Sequence, residues 1–180
     1  QEGIDAAVEG DIVVVYPDTY YENIELNKTI TLTSLALFDT TTNTMKDSLD
    51  QWYGWVDGTN WQVTDSLIVN TIIDGSLGNN STVTIAGDVC IEPQILGFTI
   101  QGGQGTEVDR FYENHEGETV TVKQHLGGGI LSFKSNPTIH YNIIQNNGLT
   151  GDIETGAAIY AASSGEDCDF SSRRSKLNET

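Results

Sequence analysis

A short repeated unit constrains the fold of this chain more than any other feature. Residues 70–75 read NTIIDG, residues 97–102 read GFTIQG and residues 141–146 read YNIIQN, at offsets of 27 and 44 positions. A span of 44 residues would fit two turns of a coil of roughly 22 residues, which is within the period range of stacked repeats. The second offset also aligns flanking residues: Pro93 with Pro137, and Ile95 with Ile139.

A second repeat supports the same interpretation. Residues 127–136 (GGGILSFKSN) match residues 156–165 (GAAIYAASSG) at an offset of 29, which aligns Ile130 with Ile159. One coil cannot bury its few inward Ile, Leu or Val side chains alone, but stacked coils place them over each other in ladders. The sequence therefore predicts an all-β solenoid whose strands pair in parallel between coils.

Turn residues in the repeats indicate where the coils bend. Gly and Asn tolerate left-handed backbone conformations, so Asn146-Asn147-Gly148 is expected to form a corner. A ladder of stacked asparagine amides along such corners is a further expectation. At the N-terminus, Ile4, Ala7 and Val8 share one face of a short amphipathic helix that Gly10 would end, and this helix is expected to cap the core.

Two stretches interrupt the period. Residues of about 35–67 are polar and aromatic, and residues of about 104–126 are acidic, so both are expected to be loops or small hairpins that project from the scaffold. We expect one domain over residues 1–165. Residues 166–180 are expected to form a polar tail or a truncated coil.

The sequence also resembles a known superfamily. The opening QEGIDAAVEGDIVVVYPDTYYENIELNKTITLTS is similar to the N-terminal cap and first coil of pectin lyase-like proteins, with Asp18 in place of the usual Gly of the PGTY turn. The later IIDGS, GFTIQGG, GGGI and SNPTIHYNIIQNNG resemble coil repeats of the same superfamily. The resemblance covers most of residues 1–164 outside the two insertions. It implies a right-handed parallel β-helix of the bacterial secreted or surface type, but the superfamily spans many activities.

The charge balance restricts the classes of partner. The chain carries 26 acidic residues against 8 Lys plus Arg, a net charge of −18, so it lacks the basic footprint that nucleic acids require. Anionic membranes are disfavoured for the same reason, and membrane insertion is not expected. Such acidity can attract divalent cations, although a solvated acidic surface is the simpler explanation. Cys90 and Cys168 could pair, but their spacing does not demand it.

Two enzymatic interpretations are open. β-Elimination of an acidic polysaccharide needs a base and often Ca²⁺. The candidate bases are Lys123, Lys134 and Arg110, and the candidate Ca²⁺ ligands are Asp74, Asp88 and Asp109. Glycoside hydrolysis needs two carboxylates, for which Asp109 with Glu113 or Asp74 with Asp88 are candidates. No catalytic motif marks these residues, so surface salt bridges are the favoured explanation, and no cofactor other than Ca²⁺ is indicated.

An aromatic cluster in the first insertion is the strongest indication of binding. It comprises Trp52, Tyr53, Trp55 and Trp61. Sugar rings pack on tryptophan faces, but anchoring of the long insertion to the scaffold is the favoured explanation for these rings.

We therefore expect a secreted or cell-surface module with a structural or carbohydrate-recognition role. A fragment of a polysaccharide lyase or glycoside hydrolase, and a purely architectural repeat, are the alternatives. The expected partners are polysaccharides or glycans. The domain is expected to be a monomer that can self-associate through an open C-terminal coil.

Overall fold

The architecture is seen in a computed structural model, which describes residues 1–46, 53–56, 60–63, 65–148, 154–155, 158–162 and 168. For residues 53–56, 60–63, 88 and 154–155 it describes the backbone. The helical elements are short: α1 (Glu2–Ala6), a 3₁₀ helix (Leu35–Leu37) and α2 (Ser66–Val69).

Strands make up most of the regular structure. The first nine, in chain order, are β1 (Ile12–Val15), β2 (Asp18–Tyr20), β3 (Ile24–Leu26), β4 (Thr31–Ser34), β5 (Phe38–Asp39), β6 (Thr44–Met45), β7 (Tyr53–Val56), β8 (Asn60–Val63) and β9 (Thr71–Asp74). The next ten are β10 (Val83–Ile91), β11 (Gln94–Leu96), β12 (Thr99–Gln101), β13 (Thr106–Glu113), β14 (Thr119–Leu126), β15 (Ile130–Ser135), β16 (Thr138–His140), β17 (Ile143–Ile144), β18 (Glu154–Thr155) and β19 (Ile159–Ala162).

Twelve of these strands form three parallel sheets that the chain visits in rotation. The first sheet has the order β1-β4-β11-β16, the second β2-β9-β12-β17 and the third β3-β10-β15-β19. Every pairing between neighbours in these sheets is parallel. The chain is thus all-β with parallel sheets, which is compatible with a β-helix-like fold.

The strand register confirms the alignment that the repeats predict. Ile73 pairs with Ile100, and Ile100 pairs with Ile144, so the three hexapeptides lie side by side in the second sheet. Ile95 pairs with Ile139 in the first sheet, and Ile130 pairs with Ile159 in the third. The offsets of 27, 44 and 29 positions are therefore real structural repeats.

The length of one turn corrects the interpretation of the 44-residue offset. β12 and β17 are direct neighbours in the second sheet, so the two units are one turn apart rather than two. The extra residues between them contain the antiparallel hairpin of β13 and β14. A hairpin that leaves and re-enters at one corner lengthens a turn without changing the stacking of the strands.

Inward side chains of successive turns form the core. The apolar cluster includes Ile24, Val83 and Ile130 from one row of the third sheet, and the last two are fully buried. Full burial of such a side chain stabilises the fold by roughly 1.5–3 kcal/mol. A row of these side chains across several turns therefore stabilises the fold more than the inward side chains of a single turn can.

The corners recur with the strands. Gly97 has φ +79°, and Tyr141, the equivalent residue of the next turn, has φ +61°. Gly102 has φ +78°, and its equivalent Asn146 has φ +52°. The expected left-handed corner at Asn146 is confirmed. The two left-handed bends are shared by these two turns, whereas Asn70, the equivalent of Gly97 one turn earlier, has φ −101°.

Asparagines at the corners do not bond as the expected amide ladder. Asn147 accepts a hydrogen bond from the Gly103 backbone N–H at 3.0 Å and donates to the Ile100 carbonyl at 3.0 Å. Asn142 accepts from the Phe98 N–H at 2.9 Å and donates to the Ile95 carbonyl at 2.8 Å. Each amide therefore satisfies backbone groups of the preceding turn, which the sheets leave unpaired at a corner.

The N-terminal helix is shorter than expected. α1 ends at Ala6, Ala7 is extended with ψ 152°, and Val8 is 66% exposed. Of the three residues assigned to the apolar face, Ile4 is buried in the main core cluster and Ala7 packs against that cluster. The prediction for Val8 is wrong, because the helix stops before Val8 can join that face.

The two insertions contain antiparallel hairpins. β5 pairs with β6, and β7 pairs with β8, within the first insertion, while β13 pairs with β14 in the second. The base of the first insertion is not a loop: Ala36 and Leu37 at its start, and Ile68 just after its end, are buried with Leu96 in a second apolar cluster. This cluster anchors the base of the insertion to the sheets.

Cys90 and Cys168 form a disulfide across a sequence separation of 78 residues, with a Cα–Cα distance of 5.3 Å. It ties residue 168 to β10, so this position of the expected polar tail is attached to the third sheet. The proposed domain limit at residue 165 and the rest of 166–180 lie outside the described residues. In the part of the chain that is described, no helix has the length and apolar character to cross a membrane.

Candidate functional site

The aromatic cluster of the first insertion falls on the hairpin of β7 and β8. The register pairs Trp55 directly with Trp61, and Tyr53 with Val63. Trp52 lies outside the described residues, and so do the side chains of Tyr53, Trp55 and Trp61. The backbone therefore brings Trp55 and Trp61 opposite each other, while the binding role of the cluster stays a prediction.

A groove lies beside the first strand, between β1 and the hairpin of β5 and β6. Its volume is about 570 Å³, within the range that holds small ligands. It is lined by Gly10, Asp11, Ile12, Val14, Tyr16, Phe38, Thr40 and Asn43. Ile12, Val14 and Tyr16 alternate with Val13 and Val15, which pack on the core, so the groove lies on the outer face of the first sheet.

The β1 wall of the groove combines a ring with a carboxylate. The Tyr16 side chain is 60% exposed, and its backbone carbonyl accepts a hydrogen bond from the Tyr20 hydroxyl at 2.9 Å. Asp11 accepts from the Val8 N–H at 2.8 Å, and its own N–H donates to the Val8 carbonyl at 3.1 Å. These bonds fix the backbone on both sides of β1 and hold the Asp11 carboxylate, while the Tyr16 ring stays exposed at the groove.

The opposite wall is a tight turn. Asp39 accepts hydrogen bonds from the N–H groups of Thr41 at 2.8 Å and Thr42 at 3.4 Å. The Thr41 bond is the main cause of the lowered pKa of Asp39. Asn43 takes the left-handed conformation at φ +56°, which carries the chain into β6. The bonded turn positions Thr40 and Asn43 along the groove.

Several polar groups at the groove are available to a ligand. Within the described residues, the Tyr16 and Thr40 hydroxyls and the Asn43 amide make no hydrogen bond to another protein group. No Lys or Arg is among the groove-lining residues. The groove thus offers a ring face, hydroxyl and amide groups and one carboxylate, a combination that suits an uncharged polyol.

Asp74, a predicted calcium ligand, already has protein partners. Its carboxylate accepts hydrogen bonds from the Ser76 N–H at 2.9 Å and from the Gln101 amide at 2.8 Å, and the residue is 8% exposed. Burial raises its pKa, but the bonds from Ser76 and Gln101 outweigh burial and lower it overall. Gln101 in turn accepts from the Gln145 amide at 3.3 Å, so a polar row crosses the second sheet.

The other predicted metal ligands are placed apart from this row. Asp109 is exposed on β13, and the side chain of Asp88 on β10 lies outside the described residues. Among the residues whose side chains are described, no group of three or more His, Cys, Asp or Glu is arranged to hold a metal ion. The calcium site stays a prediction.

The candidate bases make ordinary surface interactions. Lys123 pairs with Glu107, and this pair raises the pKa of Lys123 and lowers that of Glu107. The Arg110 guanidinium donates to the Tyr160 hydroxyl and lies 5.7 Å from the centre of its ring. Lys134 is exposed at φ +46° in β15. A general base needs a lowered lysine pKa, so the shift at Lys123 has the wrong sign.

Comparison with known proteins finds no relative: no family model, curated protein or solved structure matches the chain. The candidate sites are therefore judged on their own geometry.

Sequence reasoning missed the groove although part of its signal is visible. The alternation of Ile12, Val14 and Tyr16 places an aromatic residue on the outward face of the first strand. The far wall could not be found in this way, because Thr40 and Asn43 reach the groove through a hairpin whose register is set by only two residue pairs.

Proposed function

We propose that this chain is a non-catalytic carbohydrate-recognition module of a secreted or cell-surface protein. In this proposal the three parallel sheets form a right-handed parallel β-helix of the pectin lyase-like kind. The rotation of the chain through the sheets and the matched registers support the β-helix. The right-handed sense follows the strong preference of parallel crossover connections.

The single observation that carries the proposal is the groove on the outer face of the first sheet. It combines an exposed Tyr16 ring with the hydroxyl of Thr40 and the amide of Asn43. Protein sites that bind sugars stack a ring against the apolar C–H face and bond the hydroxyl groups with fixed polar side chains. Both kinds of group line this groove.

The charge of the groove selects among glycans. Asp11 is the charged residue among the lining side chains, and the whole chain carries a net charge of −18. A uronate would be repelled, whereas a neutral hexose can donate its hydroxyls to the carboxylate. The proposed ligand is therefore a neutral saccharide.

We propose that the hairpin of β7 and β8, which carries Trp55 and Trp61, also contributes to glycan binding. The first insertion supplies both the far wall of the groove, through Thr40 and Asn43, and the paired Trp55 and Trp61. Aromatic residues dominate recognition surfaces, so an insertion that carries a groove wall and paired tryptophans is suited to binding.

Extracellular localisation is supported by the disulfide. A Cys90–Cys168 bond persists in an oxidising compartment and would be reduced in most cytosols.

The experiment is a screen on an array of neutral and acidic glycans, followed by calorimetry with any binder. We expect neutral saccharides to bind, and Tyr16→Ala to weaken binding by about two- to tenfold, as loss of one stacked ring is worth roughly 0.5–1.5 kcal/mol. Tyr21→Ala is the matched control, since Tyr16 and Tyr21 are equally exposed at 60%. Tyr21 is not among the groove-lining residues.

The variants Trp55→Ala and Trp61→Ala test the role of the β7–β8 hairpin, and their affinity is measured with the same ligand. Unchanged affinity in both would remove the tryptophans from the site. Failure of every neutral glycan to bind, or full affinity in Tyr16→Ala, would refute the groove as the recognition site.

Of the carboxylates that are candidates for glycoside hydrolysis, Asp74 is unsuited to act as the general acid. Hydrogen bonds from Ser76 and Gln101 outweigh burial and lower its pKa, whereas a general acid needs a raised carboxyl pKa. Incubation with acidic polysaccharides and Ca²⁺ tests the enzyme directly. Appearance of unsaturated products would overturn the non-catalytic proposal.

A further inference from the structure

The outer edge of β13 is a second surface that the glycan proposal leaves unused. β13 lies at the end of a three-stranded sheet with the order β13-β14-β18, so in the described part of the chain it is paired on one side. It runs for eight residues, Thr106–Glu113, and its register with β14 continues without a shift from Thr106 opposite Leu126 to Glu113 opposite Thr119.

The hydrogen-bond pattern identifies the backbone groups on this edge. The Asn114 N–H donates to the Glu118 carbonyl at 2.9 Å. In an antiparallel pair, bonded and non-bonded residue pairs alternate, so residues 112, 110 and 108 also face β14. The backbone N–H and C=O groups that point away from β14 then belong to Glu107, Asp109, Phe111 and Glu113.

Charged side chains are the feature that protects this edge. Natural edge strands are blocked by Pro, by bulges, by short length or by charged side chains, Lys above all. β13 has the sequence TEVDRFYE, with neither Pro nor Lys, and its register has no bulge. Phe111 is 70% exposed, and Glu107, Asp109 and Glu113 are exposed as well. Among the described residues the edge is thus accessible from Glu107 to Glu113, whereas Thr106 at its start bonds to Ser81.

The hairpin that carries the edge is held to the scaffold. Arg110 donates to the Tyr160 hydroxyl, and Tyr160 makes an edge contact with Phe133 at 6.0 Å between ring centres. Arg110 and Tyr160 thus join β13 to the third sheet through β19. A strand that binds here would meet a fixed edge and would not have to order it, which lowers the cost of binding.

Charge decides which strand fits. The residues whose backbone groups point away from β14 include Glu107, Asp109 and Glu113. One lysine of β14, Lys123, pairs with Glu107. A second copy of this chain carries the same acidic edge and a net charge of −18, so it would be repelled. An extended segment with alternating basic residues complements both the backbone groups and the carboxylates.

We propose that the outer edge of β13 binds an extended basic segment of another protein by strand addition. Main-chain hydrogen bonds to residues 107, 109, 111 and 113 supply the register, and ion pairs with the acidic side chains supply the preference for Lys or Arg.

The probe is a capped octapeptide of alternating lysine and threonine, titrated by calorimetry against the full chain at low salt. An otherwise identical glutamate–threonine peptide is the charge control. A lysine–threonine peptide that is N-methylated at alternate residues keeps the charge and loses half of its N–H donors. We expect the first peptide to bind, the methylated peptide to bind about tenfold more weakly and the glutamate peptide not to bind.

Protein variants locate the site. Asp109→Pro removes an outward N–H at a position where an edge strand tolerates proline, and we expect about tenfold weaker binding. Glu113→Lys keeps every backbone donor and reverses one charge, and it should also weaken binding. Glu2→Lys makes the same charge change on exposed α1 and should have no effect. Amide exchange should slow at Asp109 and Phe111 when the peptide is bound.

Equal affinity of the methylated and unmethylated peptides would overturn strand addition in favour of plain charge attraction. Protection that appears on another strand, or Glu113→Lys with unchanged affinity, would overturn the assignment to this edge. The methylated peptide leaves the protein unaltered, so the test does not depend on the folding of Asp109→Pro. None of these results bears on the glycan groove.

Discussion

At the scale of single residues, the corners of the turns depend on a few polar side chains. Asn147 bonds to the backbone of Gly103 and Ile100 in the preceding turn. The sequence placed a corner at this asparagine correctly. It could not show the bonding partners, because an amide near a stacked corner can bond either to another amide or to backbone groups, and only the distances decide.

Asp74 gives a prediction about pH. Its folded pKa is below the ordinary value, so its contribution to stability is fully present above the unfolded pKa of about 3.9 and is lost as the pH falls through the folded pKa. Asp74→Asn should therefore lower the free energy of unfolding by roughly 1 kcal/mol at pH 7. Urea denaturation can measure the free energy of unfolding of Asp74→Asn and of the wild type at pH 7 and at pH 3. The difference between the two proteins should be smaller at pH 3.

Asp109→Asn is the control, since it makes the same charge change at an exposed residue and should change stability little at either pH. A stability difference for Asp74→Asn that grows toward acid pH would contradict the proposed role of the Ser76 and Gln101 bonds.

At the scale of elements, the ladders of inward side chains should show graded sensitivity. Ile100 and Ile144 occupy the same row of the second sheet, but Ile100 is fully buried and Ile144 is half-buried. Ile100→Ala should lower the free energy of unfolding by about 2–5 kcal/mol, and Ile144→Ala by clearly less, because its cavity is partly open to solvent.

Chemical denaturation of both variants checks this prediction. A larger loss in Ile144→Ala than in Ile100→Ala would mean that the core does not run through the stacked rows as described.

The same elements show how far sequence reasoning reached. The pairing of Ile73 with Ile100 and of Ile130 with Ile159 could be predicted from the repeats, because stacking in register requires the same spacing in every turn. The 44-residue offset was misinterpreted, because a hairpin such as that of β13 and β14 adds residues to a turn without leaving a mark in the periodic positions. The groove was missed, since its far wall depends on tertiary contact between β1 and a hairpin.

At the scale of the whole molecule, the disulfide closes most of the second half of the chain. A crosslink with a sequence separation of 78 residues reduces the entropy of the unfolded chain by an amount worth roughly 4 kcal/mol. Reduction, or the double change Cys90→Ser with Cys168→Ser, should therefore lower the denaturant midpoint substantially. The sequence left this pairing open, because two cysteines so far apart meet only through the fold.

The double variant is also the control, because its midpoint should not respond to the reductant. An unchanged wild-type midpoint in reductant would mean that the disulfide does not stabilise the fold.

The three related hexapeptides lie side by side as parallel strands of one sheet, and the rest of the fold depends on this arrangement. Nuclear Overhauser spectra of the labelled chain can check it at Ile73, Ile100 and Ile144. We expect amide-to-α-proton contacts from Ile100 to both neighbouring strands, without the close α-to-α proton contacts of antiparallel pairs. Strong α-to-α contacts between these strands, or no contact from Ile100 to either of them, would contradict it.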